Sequence, residues 1–281
     1  MRVHAEPLSD VTRYIENHKH IMLEDNETEF QSTIWRLRWF KHIDETTPIL
    51  EIGIGTGWFP IKCKMKGLSC KGIEISPQLV EYAMELGRKY GVEPDIEIAN
   101  VEEADLGESV YDIVVAASVF EHVEDWRSGI RNIYKALKPG GILYFNSTNR
   151  FSLAPSKEFR FPLYGWLPDA WRYRLRVSCQ GEDIMHLGID FNQFTYPVLR
   201  RFFKSVGFHT VLDLVDMFDA DHLRSNKTWK RLVIKGLQRA QLLKHLFLVI
   251  APGTTFVCVK GDQTTQAPPL QPSTSSSGQV A

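Results

Sequence analysis

No stretch of this 281-residue chain is apolar for long enough to cross a bilayer. The opening residues, Met1-Arg2-Val3-His4-Ala5-Glu6-Pro7, lack the apolar core of a secretory signal. Cysteine is scarce: Cys63, Cys70, Cys179 and Cys258 are scattered and make no C-x-x-C pair. That argues against a disulfide framework or a zinc site and suits reduced thiols in a cytoplasmic protein. Net charge is only −1, so the chain as a whole is not a nucleic-acid binder by charge, and no nucleic-acid partner is expected. What is present is 43% hydrophobic residues. That is enough for a sizeable core, and the length suits one α/β domain with insertions.

The most informative segment is Pro48-Ile49-Leu50-Glu51-Ile52-Gly53-Ile54-Gly55-Thr56-Gly57-Trp58, a short apolar strand running into a glycine-rich turn. Glycines at alternate positions permit positive φ and close approach to a ligand, and a side chain at Gly53 or Gly55 is expected to occupy ligand space. The helix after the turn aims free N–H groups at a polar ligand end. Here too an absence decides. A dinucleotide turn, G-x-G-x-x-G, needs a third glycine where Trp58 stands, and no Gly-Lys-Ser/Thr follows to make a phosphate-cradling P-loop.

A second strand, Ser69 to Ser76, ends in an acid, Glu74, 17 positions after Gly57. At the end of the second strand of a doubly wound sheet, a carboxylate faces the ribose of a nucleotide-like ligand. A third strand lies near Pro94 to Ile98. The fourth, Tyr111 to Ser118, is the near-continuous apolar run of a buried parallel strand. It leads into Val119-Phe120-Glu121-His122-Val123-Glu124-Asp125 and a helix over about 126–137. Leu137-Lys138-Pro139-Gly140-Gly141 reads as a turn into a fifth strand, 142–148.

In this order, the E-x-G-x-G-x-G turn, the acid-ended strand, YDIVVAASVFEHVED and LKPGG-ILYFNSTNR resemble the class I S-adenosylmethionine (SAM)-dependent methyltransferases. The EHV and S-T-N-R pieces are most similar to the branch containing the ubiquinone-biosynthesis O-methyltransferases. The resemblance covers about residues 45–150 and implies an α/β, Rossmann-like, doubly wound, seven-stranded and mostly parallel sheet with SAM as cofactor. It implies that Gly53, Gly55 and Gly57 line the methionine and ribose end while Glu51 supports the turn. Glu74, with Ile75 beside it, takes the ribose. Asn100 and Val101 contact adenine, with Glu102 adjacent, and Ala117 and Ser118 lie near the methionine. His122 is a candidate general base or else a structural histidine at a helix start, and His186, with Asp190, is a second base candidate. The branch's divalent-metal segment has a carboxylate where this chain has Ser118, so Glu121 and His122 alone make a poor hard-metal site and no metal is expected.

Around that sheet, residues 1–44 read as N-terminal helices, with caps at Ser9 or Asp10 and near Asn26 or Thr28. Their aromatic stripe is either core packing or a cover over the ligand. A long aromatic insert, 150–193, follows the fifth strand. In it Tyr164, Trp166, Trp171 and Tyr173 form either a substrate wall or a self-packed subdomain, and Arg172, Arg174 and Arg176 either pair with an anionic group or face solvent. A helix over 196–206 is stopped by Gly207. A strand near 209–215 and a last strand at Thr254–Lys260 complete the sheet. The methyltransferase domain is thus expected over 1–262, with the uncharged residues 263–281 a disordered tail.

Charge is uneven. From Arg224 to Lys244 there are seven basic residues and no acid, leaving −8 for the rest of the chain. Within 221–250, residues 224–246 read as one amphipathic helix with Trp229, Val233, Leu237, Ala240 and Leu243 on its apolar stripe. Such a helix either lies on an anionic membrane surface or is an ordinary surface helix with its basic residues outward. The expected activity is methyl transfer to an oxygen of a small or lipid-like acceptor. The competing readings are a SAM-binding regulatory module without turnover, and an N-, RNA or protein methyltransferase. The N-P-P-Y-type tetrapeptide of the amino-group enzymes is absent after the fourth strand.

Overall fold

The computed structural model describes residues 11–154, 163–180, 193–218 and 228–261. Its centre is a seven-stranded sheet in the order β3-β2-β1-β4-β5-β7-β6. The strands are β1 (Ile49–Ile52), β2 (Cys70–Glu74), β3 (Asp95–Ile98), β4 (Tyr111–Ala117), β5 (Leu137–Ser147), β6 (Phe208–Asp213) and β7 (Thr254–Lys260). The first five pair in parallel, and β7 runs antiparallel between β5 and β6.

Why the central strands are apolar on both faces is visible residue by residue. Leu50 and Ile52 of β1, Val114 and Ala116 of β4, and Leu143 and Phe145 of β5 enter one core. Their neighbours Ile49, Ile113, Val115, Ile142 and Tyr144 enter the other. Successive side chains alternate between faces, so a strand covered by helices on both sides has no polar face. The helices α5 (Trp126–Ala136) and α7 (Tyr196–Val206) cover the first core, whereas α2 (Glu27–Arg38) and α3 (Trp58–Met65) cover the second.

Local chemistry sets the helix ends. The Ser76 hydroxyl accepts from Leu79 N–H at 3.4 Å to cap α4 (Pro77–Lys89), and Asp125 accepts from Ser128 N–H at 3.1 Å to cap α5. α7 ends at Gly207 in the left-handed region, φ +117°.

Four expectations shift. The Lys138-Pro139-Gly140-Gly141 segment is part of β5, entered through a register irregularity opposite Tyr111 and Ile113, because Gly140 at φ +69° absorbs the bend within the strand. The N-terminal region is divided into α1 (Thr12–His18), whose cap position is Val11, and α2, whose cap position is Asn26 without a side-chain capping bond. The basic stretch is two helices, α8 (Thr228–Arg239) and α9 (Gln241–Ile250), broken at Ala240. Within it Val233 and Leu243, expected on the inward stripe, are exposed; on α9 the inward position is taken by Lys244. The tail at 263–281 and parts of the aromatic insert lie outside the described residues, whereas α6 (Asp169–Gln180) is within them.

Candidate active site

At the carboxyl ends of the parallel strands lies a cavity of about 380 Å³. Open α/β sheets bind ligands at this edge. Glu51, Gly53, Gly55, Glu74, Ile75, Asn100, Val101, Glu102, Ala117, Ser118 and His122 all line it. Of the candidate positions within the described residues, Gly57 does not. His186 and Asp190 lie outside those residues.

The glycine turn is shaped by protein neighbours as much as by ligand space. Gly53, Gly55 and Gly57 have φ of +68°, +54° and +78°, all left-handed. A Cβ on Gly53 would sit 2.3 Å from Val119 Cγ2, and one on Gly57 would sit 2.4 Å from Ala83 Cβ. Gly57 therefore permits α3 and α4 to pack closely rather than touching the cavity. A Cβ on Gly55 would come within 3.2 Å of the Tyr14 hydroxyl. The close approach expected of a ligand at Gly53 is made by a side chain from the loop after β4.

Glu74 holds the turn. One carboxylate oxygen accepts from Gly55 N–H at 3.2 Å, and the other accepts from Ile75 and Ser76 N–H at 3.0 and 3.2 Å. Burial raises its pKa above the usual carboxylate range, opposed by these N–H groups and by the nearby His122. Glu51, one strand over, is only 7% exposed, and its Oε2 has no hydrogen-bond partner among the described residues. Burial first, then the proximity of Cys63 and Glu74, pushes its carboxyl well above the usual range. An orphaned buried acceptor on the cavity wall is costly unless a ligand donor meets it.

Just past β3, the neighbour of β2, Asn100 Oδ1 accepts from Glu102 N–H at 3.0 Å and so orders the turn there. Ser118 closes β4 in the left-handed region, φ +55°, with its N–H donating to Asn146 O at 2.8 Å. Glu121 and His122 part company. Glu121 is buried and accepts from Ser147 Oγ at 2.6 Å, whereas His122 is exposed at the cavity wall.

Several lining residues carried no legible signal. α1 supplies Val11 and Tyr14, and α2 supplies Glu29. Of the N-terminal stripe, Phe30, Ile34 and Leu37 enter the core and Trp35 and Trp39 are exposed, while the cavity is lined instead by Tyr14 of α1. Burial, and secondarily Glu74, raises the Tyr14 pKa. Trp58, read only as a missing glycine, also lines the wall.

A second, open groove of about 480 Å³ includes Trp126, Arg127, Arg150, Phe151, Trp166 and Phe194 in its lining. The Arg127 guanidinium lies 4.4 Å from the Trp126 ring centroid. Only Trp166 of the four expected insert aromatics contributes. Tyr164 is buried, with the Arg172 guanidinium 5.9 Å from its ring centroid, and Arg172 is paired to Asp169 at 2.8 Å, as a self-packed unit would be.

This geometry agrees with the relatives. Residues 50–145 match the protein-family model described as a methyltransferase domain. Across this segment the chain is similar to methyltransferase domains. The chain is 29% identical over 122 residues to the ubiquinone biosynthesis O-methyltransferase of Rickettsia conorii, covering 43% of this chain and 42% of that protein. It is 28% identical over 113 residues to the norajmaline N-methyltransferase of Rauvolfia serpentina, 39% of each. The match thus spans less than half of either relative. A SAM-dependent methyltransferase from Archaeoglobus fulgidus has the same fold, with TM-score 0.54 at 16% identity over 89% of this chain and 100% of that one. So does the Haemonchus contortus phosphoethanolamine N-methyltransferase 2 in complex with SAM, at TM-score 0.52 and 17% identity over 83% of this chain and 53% of that one.

Proposed function

We propose that this chain is a SAM-dependent methyltransferase acting on an oxygen of a small or lipid-like acceptor. The observation that carries the cofactor is the pair of carboxylates flanking the glycine turn. Glu51 has an orphaned oxygen suited to the cofactor's ammonium group. Glu74, already held by three N–H groups, retains about one of its four acceptor sites, on the oxygen that holds Gly55, for a ribose hydroxyl. Asn100, Val101, Glu102, Ala117 and Ser118 line the same cavity, which supports assigning the first three to the adenine and the last two to the methionine. Gly57 supports the site from behind.

When bound, SAM supplies a methyl group made electrophilic by its sulfonium. The protein's part is orientation, where proximity contributes roughly 7–11 kcal/mol, and removal of the acceptor's proton. His122, exposed on the cavity wall, is the group to take a proton from a hydroxyl. The adjoining groove, with Trp126, Arg127, Arg150 and Trp166, offers apolar faces and two guanidinium groups to an acceptor that is apolar and anionic. Oxygen as the acceptor atom rests on the ubiquinone biosynthesis O-methyltransferase relatives from several bacteria.

Titration calorimetry with SAM tests the cofactor. Wild-type protein is expected to bind and Glu74→Ala to lose binding, whereas silence from both overturns the reading. Transfer of labelled methyl into the lipid or small-molecule fraction of a lysate, rather than the polymer fraction, tests the acceptor class.

A further inference from the structure

Helix α9 is built inside out. Its buried residues are Lys244 and Leu248, each 3% exposed. Lys244 is held by Asp213 at 2.8 Å and Asp216 at 2.5 Å. Outward stand Leu242, Leu243, Leu246, Phe247 and Ile250, with Leu242 at 75% exposed. At about 100° per residue these five occupy one arc of roughly 140°. A surface helix ordinarily turns its leucines inward and its lysine outward.

The apolar face continues beyond α9. Leu232 and Val233 of α8 are exposed on the preceding helix. At the other end, Leu153 N–H donates to Ile250 O at 3.2 Å, and the indole of half-exposed Trp166 donates to Ser152 O at 3.3 Å. Trp166 also lines the second groove, so the face ends at that groove's wall. Large apolar side chains exposed in this number on successive elements mark a docking site.

Charge identifies the occupant. Lys244 is neutralised by its two aspartates, but the stretch 224–239 has six further basic residues and no acid, in a chain whose remainder carries −7. Lys235 and Arg239 are exposed on α8. A leucine face, a basic flank and an indole at the rim are what a helix in a lipid headgroup layer presents. A second copy would bring like charges together. We propose that the α8–α9 face docks this chain on an anionic lipid surface, with α9 lying in the interface plane. This stands on the orientation of α9 and does not depend on methyl transfer.

The test is co-sedimentation of the full chain, without cofactor, with phosphatidylcholine vesicles containing phosphatidylserine, against phosphatidylcholine alone. Wild type is expected to sediment with the anionic vesicles and to be released by salt. The double variant Leu242→Glu/Leu246→Glu places charges where side chains already face outward. It is expected to keep its melting temperature and partition at least ~10-fold less. Lys235→Glu/Arg239→Glu, which leaves the apolar face intact, should weaken binding to the anionic vesicles most. Absence of wild-type binding overturns the proposal, as does binding by both double variants equal to that of wild type. So does a two-chain mass in sedimentation equilibrium that Leu242→Glu/Leu246→Glu returns to one chain, since a second copy then covers the face.

Discussion

The Glu74 carboxylate accepts from the Gly55 N–H at 3.2 Å, joining the end of β2 to the turn after β1. The acid proposed to meet the ribose is therefore also part of the scaffold that shapes the turn. Beside it, Glu51 keeps an oxygen with no partner among the described residues. The two carboxylates differ in what they lack, and that difference sets the first prediction.

Glu51 has a raised pKa through burial. A carboxyl whose folded pKa exceeds its unfolded value favours folding while protonated. This contribution is complete below about pH 4.3 and is lost as pH rises through the raised value. Cofactor-free protein is expected to lose melting temperature on that rise, and Glu51→Gln to lose less. A bound ammonium reverses the preference, so wild-type SAM affinity should strengthen with pH over the same window while Glu51→Gln stays flatter. Thermal melts and calorimetry at matched pH values measure both.

Gly57 shows the opposite behaviour, since it is structural without touching the cavity. Gly57→Ala places a Cβ 2.4 Å from Ala83 Cβ at φ +78°. The left-handed backbone and the overpacking together cost about 2–5 kcal/mol. Urea unfolding should show that loss. Calorimetry under native conditions should show SAM affinity within about 2-fold of wild type, because the added methyl faces α4.

His122 is assigned the proton. His122→Ala is expected to lower kcat by ~10²–10⁴ at neutral pH, with SAM affinity nearly unchanged. If affinity falls and kcat does not, the histidine acts instead through its charge on Glu74, whose pKa it lowers.

Lys244 fastens α9 to β6 and to the turn that follows it. Burial raises the Asp213 pKa, and the lysine opposes that effect. Asp213 also accepts from Tyr196 Oη at 2.9 Å. Lys244→Met leaves Asp213 buried without its cation, a change that costs about 3–5 kcal/mol. Denaturant unfolding should show that loss. A neutral result would mean that water reaches the pair.

Much of the sheet was legible because a buried parallel strand must be apolar on both faces and its turns need glycine. β4 and the 53–57 turn stood out for those reasons, and Glu74 by its place at a strand end. The role of Gly57 was not legible, because its constraint comes from Ala83 on another helix. Tyr14 was hidden because a tyrosine in a short amphipathic helix looks alike whether it packs on core or over a cavity. The basic stretch misled because composition shows two stripes without saying which one faces in.

Local sequence alone determined the strand order's raw material, the glycine turn, the acid after it and the resemblance to a methyltransferase domain. These depend on periodicity and backbone freedom, which neighbouring residues dictate. Only the tertiary structure decided that Glu51 is orphaned, that Gly53 yields to Val119 and that Lys244 turns inward. Each of those depends on which distant group occupies the facing space. A buried charge or an added methyl is stabilising or costly only once that partner is in place.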